Sequence, residues 1–68
     1  MELGKTIREK RIKQKIELEI LAENCKVSLN EITNIEDGKK FPNISLLRKI
    51  AEALNVTAPN LLFDSVTI

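Results

Sequence analysis

Residues 18–37, LEILAENCKVSLNEITNIED, set apolar or small side chains at the spacings that two short helices joined by a tight turn require. Residues three and four apart share a helix face, so Leu21 and Cys25 line the inner side of a first helix, and Ile32 and Ile35 that of a second. Val27 fills the corner between them. Ala22 falls where the two backbones approach, and a longer side chain there would push them apart. Ser28 is a good N-cap and Glu31, three residues on, completes a capping box, so the second helix is predicted to begin at Leu29. It is predicted to stop at Asp37-Gly38, where glycine takes the left-handed conformation without steric cost.

The rest of the chain reads as helix too, giving an all-α bundle of five. A first helix is expected over about Glu2 to Gln14, with Leu3, Ile7 and Arg11 on one face. The second covers about Leu18 to Asn24, and the third about Leu29 to Glu36. After a loop from Gly38 to Pro42, Asn43 caps a fourth helix whose Ile44, Leu47, Ile50, Ala51 and Leu54 make an apolar stripe. Thr57 caps a short last helix with Pro59 in its first turn, where a missing amide proton costs little. These elements make one domain over residues 1–63. The tail, residues 64–68, is rich in β-branched residues, and two forms are open to it: a frayed end, or a short C-terminal strand paired with its twin across a dimer axis.

Sixty-eight residues suffice for one core and not for a core plus an ordinary enzyme cleft; a domain this small buries only about 60% of its unfolded surface. With 43% hydrophobic and 31% charged residues the composition is globular. No run approaches the roughly 18 apolar residues of a membrane span, so no membrane association is expected, nor a signal peptide. The single cysteine lies within the apolar pattern, which suits a buried thiol in a reducing cytoplasm. With no histidine and no second cysteine, zinc sites and nucleophilic triads are disfavoured, and no metal, cofactor or enzymatic activity is expected.

Net charge is only +1, but its distribution is uneven. Lys5, Arg8, Lys10, Arg11, Lys13 and Lys15 crowd the amino end, whereas Glu17, Glu19, Glu23, Glu31, Glu36 and Asp37 crowd the middle. The basic run is either a solvated helix face or a phosphate-facing flank.

Two short helices at a tight turn are the geometry of a DNA-binding helix-turn-helix, and the chain resembles the phage repressor and Cro class of such domains, the XRE family. The resemblance runs from Leu3 to Leu62. It rests on Leu3-Gly4 with Ile7 and Arg11, on Leu21-Ala22, Val27-Ser28, Ile32, Ile35-Glu36, Gly38 and Pro42, and on Leu47, Ala51, Leu54, Val56 and Leu61.

That resemblance implies a five-helix repressor-like fold and a partly buried ion pair between Arg11 and Glu36 that orients the reading helix. It implies base reading by Leu29, Asn30, Thr33 and Asn34. The chemistry suits that role: Asn pairs bidentately with adenine, while Leu29 and the Thr33 methyl match a thymine methyl, so the half-site is expected to lean towards A/T. Phosphate contacts are expected from Ser28 and from Lys39, Lys40 and Asn43 around the start of the fourth helix.

The sequence departs from the family pattern at three places. Leu18 stands where a glutamine usually contacts DNA, Lys26 replaces the turn glycine and so must either adopt a left-handed conformation at some cost or be accommodated by a shifted turn, and Lys10 stands where an apolar residue is often found. Glu17, Glu19 and Glu31 lie near the expected polyanion, although Glu31 could accept a hydrogen bond from a cytosine amino group.

Two functions follow. The first is a sequence-specific transcriptional regulator, binding double-stranded DNA as a homodimer on a palindromic operator, with Leu62, Phe63, Val66 and Ile68 at the subunit contact. The second is a protein-interaction module, antitoxin-like or antirepressor-like, that keeps the fold and has lost its grip on DNA.

Overall fold

Five helices form, in the order α1 (Leu3–Lys13), α2 (Leu18–Cys25), α3 (Leu29–Glu36), α4 (Ile44–Ala53) and α5 (Ala58–Val66). This computed structural model describes residues 2–66; the dimer contact expected of Ile68 therefore lies outside the described residues. Among them there is no strand. Helix α2 packs on α3 and α4, α1 on α3 and α5, and α4 on α5. Ile7, Leu21, Cys25, Ile32, Ile50, Leu54 and Leu61 are wholly buried where these faces meet. Each such aliphatic side chain stabilises the fold by about 1.5–3 kcal/mol relative to exposure. Burial also raises the Cys25 thiol above its ordinary pKa, an effect that nearby Lys49 partly offsets.

The helix starts are capped as their residues dictate. Ser28 Oγ accepts from the Glu31 N–H (3.1 Å), Asn43 Oδ1 from Leu46 N–H (2.8 Å) and Thr57 Oγ1 from Asn60 N–H (3.1 Å). Glu17, before α2, makes no side-chain cap.

The helix ends share one device. After α1, α2, α3 and α4 a residue turns left-handed: Lys15 (φ 59°), Lys26 (φ 58°), Gly38 (φ 79°) and Asn55 (φ 60°). In each case the next amide reaches back five residues, as from Val27 to the Ala22 carbonyl (3.1 Å) and from Val56 to that of Ala51 (2.9 Å). The left-handed residue itself bonds three residues back, which completes a Schellman closure. Ile16, Val27 and Val56, each directly after a left-handed residue, pack against the core. That packing offsets the strain of a non-glycine residue at positive φ.

Of the tail, Asp64–Val66 form the last turn of α5, helix where a frayed end or a strand was open; residues 67–68 lie outside the described residues. Tertiary contacts override the β-branched propensity of Val66. Ser65 is buried, its hydroxyl donates to the Leu61 carbonyl (2.8 Å), and its own carbonyl accepts from Glu2 N–H (3.3 Å). Lys10, out of place on an apolar face, instead pairs with Asp64 (2.6 Å) and ties α1 to α5.

Candidate nucleic-acid interface

Helix α3 buries Ile32, Ile35 and Glu36 and turns its other face outward. On that face Leu29 and Asn30 are exposed, and Thr33 and Asn34 half-buried. The amide side chains of Asn30 and Asn34 make no hydrogen bond among the described residues, so their donors and acceptors remain available to a ligand. Thr33 differs, because its hydroxyl proton is donated to the Leu29 carbonyl (2.8 Å), which leaves its methyl and the oxygen lone pairs unspent.

What holds this face rigid is the far end of the helix. Glu36 is 4% exposed and gathers two guanidinium groups. Arg11 donates through Nε (2.7 Å) and Nη2 (3.1 Å) in a bidentate fork, and Arg8 adds Nε at 3.2 Å. Arg11 also donates to the Ile16 carbonyl (2.9 Å), so one side chain joins α1, the turn after it and α3. Arg8 reaches on to Asp37 at 2.5 Å. These hydrogen bonds, to Asp37 first and Glu36 second, push the Arg8 pKa above its ordinary value. The family resemblance pointed to Arg11 and Glu36 and missed Arg8, whose signal lay in its position one turn before Arg11 on the same helix.

A second brace is steric. A Cβ on Gly4 would lie 2.2 Å from the Ile35 carbonyl oxygen and 2.7 Å from that of Glu36. Only glycine lets α1 lie directly on the end of α3. A third brace joins α1 to the end of α4, where Gln14 Nε2 donates to the Leu54 carbonyl (2.6 Å) and its Oε1 accepts from Asn55 (3.1 Å).

The amino-terminal basic run is thereby divided. Arg8, Lys10 and Arg11 are spent on Glu36, Asp37 and Asp64, whereas Lys5, Lys13 and Lys15 form no ion pair among the described residues. Much of that run is internal counter-charge.

The residues expected at phosphate lie at the start of α3 and in the segment that follows it. Ser28 accepts one backbone amide and keeps its own proton for an outside acceptor. Asn43 spends its oxygen on the cap and keeps its NH2 group. Lys39 is exposed and unpaired among the described residues, but Lys40 is not, because its Nζ lies 2.8 Å from Glu31 Oε2. The capping box is therefore half formed: Ser28 caps α3, while the Glu31 carboxylate turns to the loop. Leu18 packs against the core and gives α2 no polar anchor at its start.

An open groove of about 310 Å³ lies between the start of α1 and the α3–α4 loop, lined by Lys5, Asp37, Lys39 and Phe41 among others. Among the described residues no group of three or more acidic, cysteine or histidine side chains could hold a metal ion. Nor is any helix there long and apolar enough to cross a membrane.

An outward-facing second helix, set on a first through a left-handed turn and braced from behind, defines the class of DNA-binding helix-turn-helix regulators. The chain belongs to the Helix-turn-helix domain family, which it matches over residues 4–68, and its fold is of the phage repressor type.

Solved structures agree. The DNA-binding domain of the P22 C2 repressor superposes with a TM-score of 0.91 at 28% identity, covering 98% of this chain and 88% of that one. The clp gene regulator ClgR of Corynebacterium glutamicum gives 0.89 at 28% identity over 93% of this chain and 67% of its own. The restriction-modification controller protein C.AhdI of Aeromonas hydrophila shares the fold at 23% identity, with a TM-score of 0.84 over 88% of this chain and 91% of its own. No curated protein matches the chain in sequence.

Proposed function

We propose that this DNA-binding regulator acts as a cytoplasmic homodimer on a palindromic operator, with α3 in the major groove. The observation that carries the reading is the pair of unspent amides, Asn30 and Asn34, on the outer face of a helix fixed at its other end by Glu36 and Gly4. Asn30 and Asn34 read adenine, Leu29 and the Thr33 methyl meet thymine methyls, and Ser28, Lys39 and Asn43 hold the flanking phosphates, whereas Lys40, expected there too, is held by Glu31 at 2.8 Å. A domain this small makes few base contacts, so useful specificity comes from two copies on half-sites about 34 Å apart. Phe63 (65% exposed) and Val66 (57% exposed), beside half-buried Leu62 on α5, offer the apolar surface for that pairing.

Selection from a random-sequence DNA pool, repeated across salt concentrations, tests the reading. It expects enrichment of an inverted repeat and affinity that falls steeply with salt. Asn34→Ala should relax preference at one base position per half-site and cost about 1–3 kcal/mol. Weak binding at every salt concentration, with no enriched sequence, would refute it and assign the fold to protein–protein contacts, as in an antitoxin or antirepressor.

A further inference from the structure

We propose that Glu31 masks Lys40 and so lowers the chain's sequence-independent affinity for DNA; the proposal rests on the DNA-binding reading above. Three observations carry it. Glu31 occupies the first turn of α3, directly after the reader Asn30, and its side chain is 29% exposed. Its carboxylate does not complete the cap but crosses nine residues of chain to Lys40 Nζ at 2.8 Å. Lys40 in turn is one of two adjacent lysines in the loop beside the reading face, and its neighbour Lys39 forms no ion pair among the described residues.

An intramolecular carboxylate at hydrogen-bond distance is a local stand-in for a phosphate. A lysine held by it gains little by moving to DNA, because it exchanges one anion for another and leaves Glu31 uncompensated beside a polyanion. Non-specific binding comes almost entirely from such lysine–phosphate contacts, so masking one of the two loop lysines lowers it. Base contacts made by Asn30 and Asn34 are untouched. The sequence-independent part of the affinity therefore falls although the total charge of the chain is unchanged.

The test is a double-mutant cycle of Glu31→Gln and Lys40→Met, read by equilibrium binding to random-sequence duplex and to the selected operator between low and moderate salt. Glutamine keeps the size of the side chain, and thermal unfolding of each variant verifies that the fold is retained. With Glu31→Gln, random-duplex affinity should rise by about two- to fivefold, the range an exposed ion pair can withhold. The slope of log K against log salt should steepen by up to about 0.9, the value for one added phosphate contact. Lys40→Met should change random-duplex binding little in the parent chain and abolish the gain in the Glu31→Gln background.

A gain that survives in the Lys40→Met background would overturn the masking role and show direct repulsion of DNA by Glu31. So would a Lys40→Met loss of equal size in both backgrounds, because Lys40 would then be fully engaged with phosphate already. An unchanged slope and affinity in Glu31→Gln refutes the proposal while leaving the regulator reading standing. Absence of salt-dependent binding in every variant, the parent included, brings down that reading and the masking role together.

Discussion

Replacing Glu36 by glutamine removes one charge and exchanges one acceptor for a donor without changing size. The carboxylate receives three N–H groups, at 2.7, 3.1 and 3.2 Å, and its side chain is 2% exposed against 13% for that of Arg11. A glutamine oxygen can keep part of the fork, but the new NH2 then faces a guanidinium and at least one N–H loses its acceptor. Breaking one side of a buried ion pair costs about 3–5 kcal/mol. Arg11 keeps its bond to the Ile16 carbonyl and some access to water, so a loss of about 2–3 kcal/mol is expected. A chain of this length holds roughly 3–10 kcal/mol in total. The variant should therefore melt about 10–20 °C lower by circular dichroism. A shift under about 4 °C would refute the reasoning, since the carboxylate would then behave like a surface charge. The accompanying Arg11→Met, Glu36→Gln double variant separates pairing from packing: it should recover part of the loss, because the more closely bound of the two guanidinium groups no longer faces the amide.

Two further outcomes follow from the backbone. Gly4→Ala should destabilise the fold by about 2 kcal/mol or more, since α1 must move off the end of α3 to relieve contacts with two carbonyl oxygens; urea unfolding measures it, and a neutral result would show the approach to be looser than the structure has it. Lys26→Gly should stabilise the fold by about 0.5–1 kcal/mol, the left-handed strain relieved less the added entropy of the unfolded chain, and a loss in urea titration would mean that the lysine side chain is making contacts of its own.

Local chemistry was legible in the sequence and distant partnership much less so. The caps Ser28, Asn43 and Thr57 and the left-handed Lys26 and Gly38 are encoded within a few residues, and each stands where the pattern put it. Lys15 and Asn55 carry the same signal as Lys26, a polar residue before a β-branched one, but the signal emerges only when the three are compared. Apolar spacing tells which face of a helix turns inward, not which residue 20 or more positions away will meet a polar or charged side chain. Lys10 with Asp64, Arg8 with Asp37 and Gln14 with Leu54 and Asn55 are all of that kind. The end of α5 was hidden for a related reason: Val66 belongs to a helix because Ser65 and Asp64 are held from α1 and its N-cap, which local propensity does not register. At the site, the resemblance supplied the reading positions, and spacing alone would have sent Glu31 to its own cap and left Lys40 unpartnered.

The shared way in which the helices end bears on how such a chain can drift in sequence. The closures are made by main-chain groups, and the residue that turns left-handed is lysine twice, glycine once and asparagine once. Its identity is thus nearly free, at a cost of about 1 kcal/mol for a branched or bulky choice, provided a core-seeking side chain follows. Gly4 is the opposite case, since its neighbours are carbonyl oxygens that no change of side chain can move. Substitutions can therefore accumulate at the corners of this bundle without altering its shape, while a position in the first turn of α1 admits a single residue.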